Sequence, residues 1–182
     1  GAQVVARELL KRRAPTTRPT GSGRGSACRT PGSAVTVPGV DGFRLTYDDH
    51  PGDAGTVVLL HGWPGDRHDY RAVVPLLAGR RVLVPDLRGF GDTTGPEAAE
   101  AVAYGVDGQA AEVIALIEDA VGGPVVLGGY DVGSRTAQGV ARARPDLVRG
   151  MVISPPVPGV GTRILGQDPQ REFWYQSFHR LD

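Results

Sequence analysis

Cysteine is nearly absent from this chain. Cys28 stands alone among 182 residues, so no internal disulfide can form, and the usage fits a reducing compartment, taken as the cytoplasm. Lysine is nearly absent too. Lys11 is the only one, and arginine carries the rest of the positive charge, which reads as a coding bias without functional meaning. Net charge is lacking: 20 basic residues face 20 acidic ones, with a sequence pI of about 7.1. Nothing in that balance points to nucleic acid or to an acidic membrane surface as a partner, and neither is expected. No apolar run approaches the roughly 20 residues that a membrane span needs. The histidines (His50, His61, His68, His179) and Cys28 are scattered, so no metal site is expected. No Gly-x-Gly-x-x-Gly follows the first strand of a βαβ unit, which speaks against a dinucleotide-dependent oxidoreductase, and no cofactor is implied. There are no internal repeats.

The remaining pattern divides the chain. Residues 1–34 carry Arg7, Lys11, Arg12, Arg13, Arg18, Arg24 and Arg29 against the single acid Glu8, with Ser, Thr, Gly and Pro between. This is a low-complexity stretch expected to be a disordered leader or a translated upstream region. A transit segment would share its arginine-rich, acid-poor character, whereas a secretory signal would need an apolar stretch after Arg12-Arg13. Gly21-Ser-Gly-Arg-Gly25 lacks both a preceding strand and a following Gly-Lys-Ser/Thr, so it is not a phosphate loop.

From residue 35 to 154 the pattern is that of an α/β domain of adequate size for one core. Ala34 to Val37 and Phe43 to Tyr47 read as an opening hairpin. Thr56 to Leu60, Arg81 to Val84, Pro124 to Gly128 and a segment within Leu147 to Ile153 are continuous apolar runs, as strands covered on both faces require. Tyr70 to Leu77 predicts a short helix with Val73, Val74, Leu76 and Leu77 facing inward, although Pro75 interrupts it. Gln109 to Val121 repeats apolar residues at helical spacing and ends at Gly122-Gly123. Ser134 to Arg144 is a second helix, stopped by Pro145. Strands alternating with helices imply a mainly parallel sheet with helices on both faces. Residues 155–182 break the pattern.

Sites in such sheets form beyond the carboxyl ends of the strands. Three segments fall there: His61-Gly-Trp-Pro-Gly-Asp66, Pro85-Asp-Leu-Arg-Gly-Phe-Gly-Asp-Thr93 and Gly128-Gly-Tyr-Asp-Val-Gly133. The third has the form of a nucleophile elbow with Asp131 where a serine would sit. Small residues at 129 and 133 let strand and helix turn sharply together, and the helix N-terminus favours negative charge. An aspartate selects attack at saturated carbon. A serine would yield an ether, which water does not readily cleave, whereas a carboxylate yields an ester that activated water can hydrolyse. The backbone N–H groups of Val132 and Trp63 are the expected oxyanion donors, with His61, Gly62 and Pro64 shaping the supporting loop and a cis Trp63–Pro64 bond stiffening it. The imidazole of His61 is expected to brace that loop, and Asp86, Arg88 and Asp92 to tie loops together.

These three segments resemble the bacterial epoxide hydrolases of the α/β-hydrolase fold, in the branch with an aspartate nucleophile. That family carries His-Gly-x-Pro, an Asp-x-Arg-Gly-(aromatic)-Gly-(Asp/Ser) turn and an Asp-bearing elbow. Phe173 to Asp182 resembles the start of its cap domain, so the likeness spans roughly residues 36–182. Tyr130 departs from the pattern, since histidine is common there. The resemblance implies an α/β-hydrolase core over 35–154, the start of a cap over 155–182, and Tyr175 as the acid that protonates the opening epoxide oxygen. It implies a small apolar epoxide and water as partners. It also implies a base histidine, its acidic partner and a second cap tyrosine on later segments, and all four histidines here precede that place. The chain is therefore expected to be the N-terminal part of such an enzyme, able to form the ester but not to turn over. Two rivals stand beside this reading. A dehalogenase of the same fold would share the aspartate; Arg135 fits the second of two arginines found in haloacetate dehalogenases, but Val132 occupies the first. A non-enzymatic remnant would retain the sheet alone.

Overall fold

The computed structural model describes residues 33–154. Six strands form one sheet in the order β1-β2-β4-β3-β5-β6. β1 (Ala34–Pro38) and β2 (Arg44–His50) make the expected hairpin, with Val35 opposite Tyr47. Its connection turns at Asp41, whose φ of 54° needs a residue tolerant of left-handed backbone. β2 pairs antiparallel with β4 (Arg81–Pro85), and β3 (Thr56–Leu60), β5 (Val125–Tyr130) and β6 (Val148–Ser154) continue in parallel. The chain enters on antiparallel strands and becomes a parallel sheet once crossover connections begin.

Among the described residues two α-helices, α1 (Val106–Ala120) and α2 (Val132–Ala143), pack on one face. There Ala110, Val113, Ile117, Ala137 and Val140 meet Leu45, Val58, Leu60, Leu83 and Leu127 of the sheet. Each fully buried Val, Leu or Ile contributes about 1.5–3 kcal/mol as an upper bound. The helices approach closely at Gly139, where an added Cβ would lie 3.1 Å from Ala110 Cβ. α1 starts three residues before the expected Gln109 and ends as expected. Gly122, at φ 68°, donates its N–H to the Ile117 carbonyl at 2.9 Å.

The opposite face is covered differently from the sequence expectation. Tyr70 to Leu77 is not one helix. It is split between 3-10 turns at Arg67–Tyr70 and Val74–Leu77, with Pro75 in the first turn of the second. Pro75 has no N–H to continue a helical ladder, so the segment restarts there. Tyr70, Val73 and Leu77 reach Val57, Leu59, Val82 and Val84, whereas Leu76 is 54% exposed and Val74 only partly buried. Among the described residues no helix is long and apolar enough to cross a membrane.

Candidate active site

Leu60 lies in register with Gly129, so the loop that leaves β3 runs beside the end of β5. β5 continues two residues past the expected Gly128, and α2 begins directly after Asp131. Asp131 joins them at φ 50° and ψ −116°. Its N–H donates to Ser154 O at 2.9 Å, and its carbonyl accepts from the Ser134 N–H at 3.1 Å and Ser134 Oγ at 2.8 Å. The flanking glycines are required by contact. A Cβ on Gly129 would lie 2.5 Å from Gly133 O, and one on Gly133 would lie 2.1 Å from Leu60 O. The sharp strand-to-helix turn predicted from Gly-x-Asp-x-Gly is present, with Asp131 at its apex.

The Trp63 N–H, expected to face the site, donates to Asp131 Oδ2 at 2.9 Å. The Trp63–Pro64 bond is cis. Gly62 permits the approach, because a Cβ there would meet Asp131 Cβ at 2.8 Å and the Tyr130 ring at 2.5 Å. Val132 is the first residue of α2, so its N–H has no carbonyl one turn back within the helix. The positive end of the helix dipole faces the same carboxylate.

His61 is fully buried and braces the loop. Its Nδ1 donates to Gly62 O at 3.0 Å, and its Nε2 accepts the Leu87 N–H at 3.0 Å. The Leu87 bond fixes the neutral tautomer with its proton on Nδ1. Burial holds its pKa below the usual histidine value, against opposing effects of Gly62 O and Asp86. With both nitrogens occupied, this ring has no free position for activating water.

The turn after β4 is held by two arginines. Asp86, fully buried, accepts the Arg67 N–H at 2.7 Å and the Asp92 N–H at 2.8 Å, and pairs with the Arg67 guanidinium. Arg67 also reaches Asp92 at 2.7 Å and Asp48 at 3.3 Å. Arg88, 1% exposed, pairs with Glu112 of α1 at 2.8 Å and lies 4.1 Å from the centre of the Phe43 ring. The loop-tying expectation for Asp86, Arg88 and Asp92 agrees with these contacts. Arg67 and Glu112 were not foreseen. For Arg67 the signal was a charge count: two acids and one arginine in the 85–93 turn leave one negative charge unmatched, so a cation had to come from elsewhere.

Tyr130 was also not foreseen as a contact residue. Its hydroxyl donates to Asp69 Oδ2, and its ring meets Tyr70 edge-on with centroids 6.1 Å apart. Burial, then the Asp69 bond, pushes its pKa up to about 12. Tyr175 and His179, with residues 1–32 of the expected leader and the expected cap segment, lie outside the described residues, and Ala34, the last residue assigned to the leader, belongs to β1. No group of His, Cys, Asp or Glu among the described residues is arranged to hold a metal ion.

The alpha/beta hydrolase fold family matches residues 55–178, more than half the chain, and the chain belongs to that family. A soluble epoxide hydrolase from Corynebacterium sp. strain C12 is 33% identical over 122 residues, covering 66% of this chain and 41% of its own. A non-heme chloroperoxidase from Streptomyces lividans is 36% identical over 129 residues, covering 69% of this chain and 45% of its own. The crystal structure of epoxide hydrolase A from Mycobacterium thermoresistibile superposes with a TM-score of 0.60 at 30% identity, over 68% of this chain and 39% of that one. The chain thus spans less than half the length of each.

Proposed function

We propose that these residues carry the ester-forming half of an epoxide hydrolase. The observation that supports this most directly is the Trp63 N–H on Asp131 Oδ2 at 2.9 Å, at a turn where Asp131 stands in place of a serine. One carboxylate oxygen is held by a backbone donor, which leaves Oδ1 to attack. Oδ1 forms a bond to an epoxide carbon, the carbon–oxygen bond of the ring breaks, and its electron pair goes to the epoxide oxygen. That oxygen takes a proton from a phenol, assigned to Tyr175 on the likeness of residues 173–182 to a cap segment. Oδ2 becomes the carbonyl oxygen of the ester. When water attacks that carbonyl, negative charge develops on Oδ2, where the N–H groups of Trp63 and Val132 would stabilise it.

Water activation needs a base that the described residues do not offer. His61 is buried with both ring nitrogens bonded. The described residues are therefore read as forming the ester and not as activating the water that would release it. A dehalogenase reading is less well supported, since Arg135 fits only one of its two arginine positions and the Val132 side chain has neither an N–H nor a cation for a halide.

The test is alkylation of the full chain by styrene oxide, followed by intact-mass and peptide mass spectrometry. One adduct on the peptide containing Asp131, released by hydroxylamine as an ester should be, is expected. The adduct should be lost in Asp131→Asn. Undiminished labelling of that variant overturns the assignment.

A further inference from the structure

The loop carrying Trp63 has three anchors, and they do different work. The strand register of Leu60 with Gly129 fixes where it starts. His61 ties it to Leu87, at the turn after β4. The third also reaches β5, through the side chain of the residue directly before Asp131. This is the bond from the Tyr130 hydroxyl to Asp69, in the 3-10 turn that follows the loop.

The loop lies against that bond along its length. A Cβ on Gly62 would meet the Tyr130 ring at 2.5 Å. A Cβ on Gly65 would meet Asp69 Oδ2 at 1.9 Å and the Tyr130 hydroxyl oxygen at 2.9 Å. Trp63 sits between these two glycines. The bond from Gly65 N–H to Gly62 O, at 2.9 Å, sets the shape of the loop but not its height above β5. Tyr70 supports the far side, with its ring edge-on to Tyr130 and its hydroxyl donating to Leu60 O at 2.8 Å.

We propose that Tyr130 and Asp69 are positioning residues, whose hydroxyl–carboxylate bond holds loop 62–65 where the Trp63 N–H meets Asp131 Oδ2. This rests on the reading of Asp131 as the nucleophile. Neither residue touches the substrate in this role. Both act through the Trp63 donor. The phenol stays protonated at every working pH, because its titration is pushed up to about 12.

Tyr130→Phe keeps the ring against Gly62 and removes only the hydroxyl. In the full chain it should lower the maximal rate of Asp131 alkylation by styrene oxide about tenfold, with the half-saturating concentration unchanged. Asp69→Asn, at an exposed position, should fall between parent and Tyr130→Phe. The double variant should be no slower than Tyr130→Phe. A second readout needs no epoxide. In 15N-labelled chain the Trp63 amide should exchange with solvent about two- to tenfold faster in Tyr130→Phe, and its proton resonance should move upfield. An unchanged Trp63 amide in both single variants overturns the positioning role, even where the parent is alkylated. A parent that is never alkylated, with a Trp63 amide that still responds, overturns the nucleophile reading, and with it the catalytic meaning of the strut. If Tyr130→Phe does not fold, Asp69→Asn alone decides by the same amide.

Discussion

At φ 50° and ψ −116°, Asp131 lies outside the common wells for a residue with a side chain, a state that costs about 1–3 kcal/mol. Its neighbours over-determine that state. Ser154 holds the N–H, Ser134 holds the carbonyl, and the backbone passes too closely for any Cβ at 129 or 133. Gly133→Ala should therefore be severe. The new methyl meets the Leu60 carbonyl, a backbone atom within β3, and cannot be accommodated by turning a side chain. A loss of more than about 3 kcal/mol is expected in urea denaturation, enough to separate α2 from the sheet. Gly123→Ala is the control, since nothing lies within 4 Å of its added Cβ, and it should change stability by less than about 0.5 kcal/mol. Equal effects at the two positions would show that contact at the turn is not what demands glycine. The place of Asp131 was legible because its spacing to two glycines is local. The Tyr130 contact was not, because Asp69 lies 61 positions earlier and meets it only after the loop has folded.

The elements show the same division between local and distant causes. Strands β3, β4 and β5 were legible as uninterrupted apolar runs, since a strand buried on both faces has no polar alternation to hide. α1 and α2 were legible from their period and their glycine or proline ends. The 67–77 segment was not, because its apolar residues recur at spacings that a helix and two 3-10 turns share. Pro75 decided between them. The hold of the 85–93 turn on α1 was half legible: Arg88 was read as a tie, but Glu112 was hidden on a helix chosen for its apolar stripe. That tie is buried on both sides, at 1% and 2% exposure. Glu112 also accepts the Val40 N–H at 3.2 Å, so one carboxylate joins the opening turn, the 85–93 turn and α1. Glu112→Gln removes the buried carboxylate from the Arg88 guanidinium and leaves only the exposed Asp41 at 3.5 Å, so it should cost about 3 kcal/mol. The double variant Arg88→Met, Glu112→Leu should cost less than that single change, since it removes both charges. A double variant weaker than the single one in chemical denaturation would contradict this account.

For the whole molecule, the buried neutral His61 couples stability to pH. Its folded pKa lies below the ordinary value of 6.5, with burial as the main cause. Below about pH 6.5 the unfolded chain takes up a proton at this position and the folded chain does not. The unfolded state then binds more protons, so stability falls as pH falls. The contribution is fully present above about pH 6.5 and declines on acidification toward the lowered folded pKa. Protonation in the folded state would also destroy the lone pair on Nε2 that accepts the Leu87 N–H, so the loop bearing Trp63 would lose its hold on the turn after β4. Asp146 acts in a different window. Its pKa is lowered by Arg144, so its contribution is lost only below the ordinary carboxylate value of 3.8. A fall in melting temperature between pH 7 and 5 therefore separates His61 from Asp146. His61→Gln keeps an acceptor near Leu87 but cannot titrate in this range. It should lose about 1–2 kcal/mol at pH 7, by giving up the Gly62 bond, and show a flatter pH dependence down to 5. A variant whose melting temperature falls as steeply as the parent's would place the acid sensitivity of this fold elsewhere than at the loop beneath Trp63.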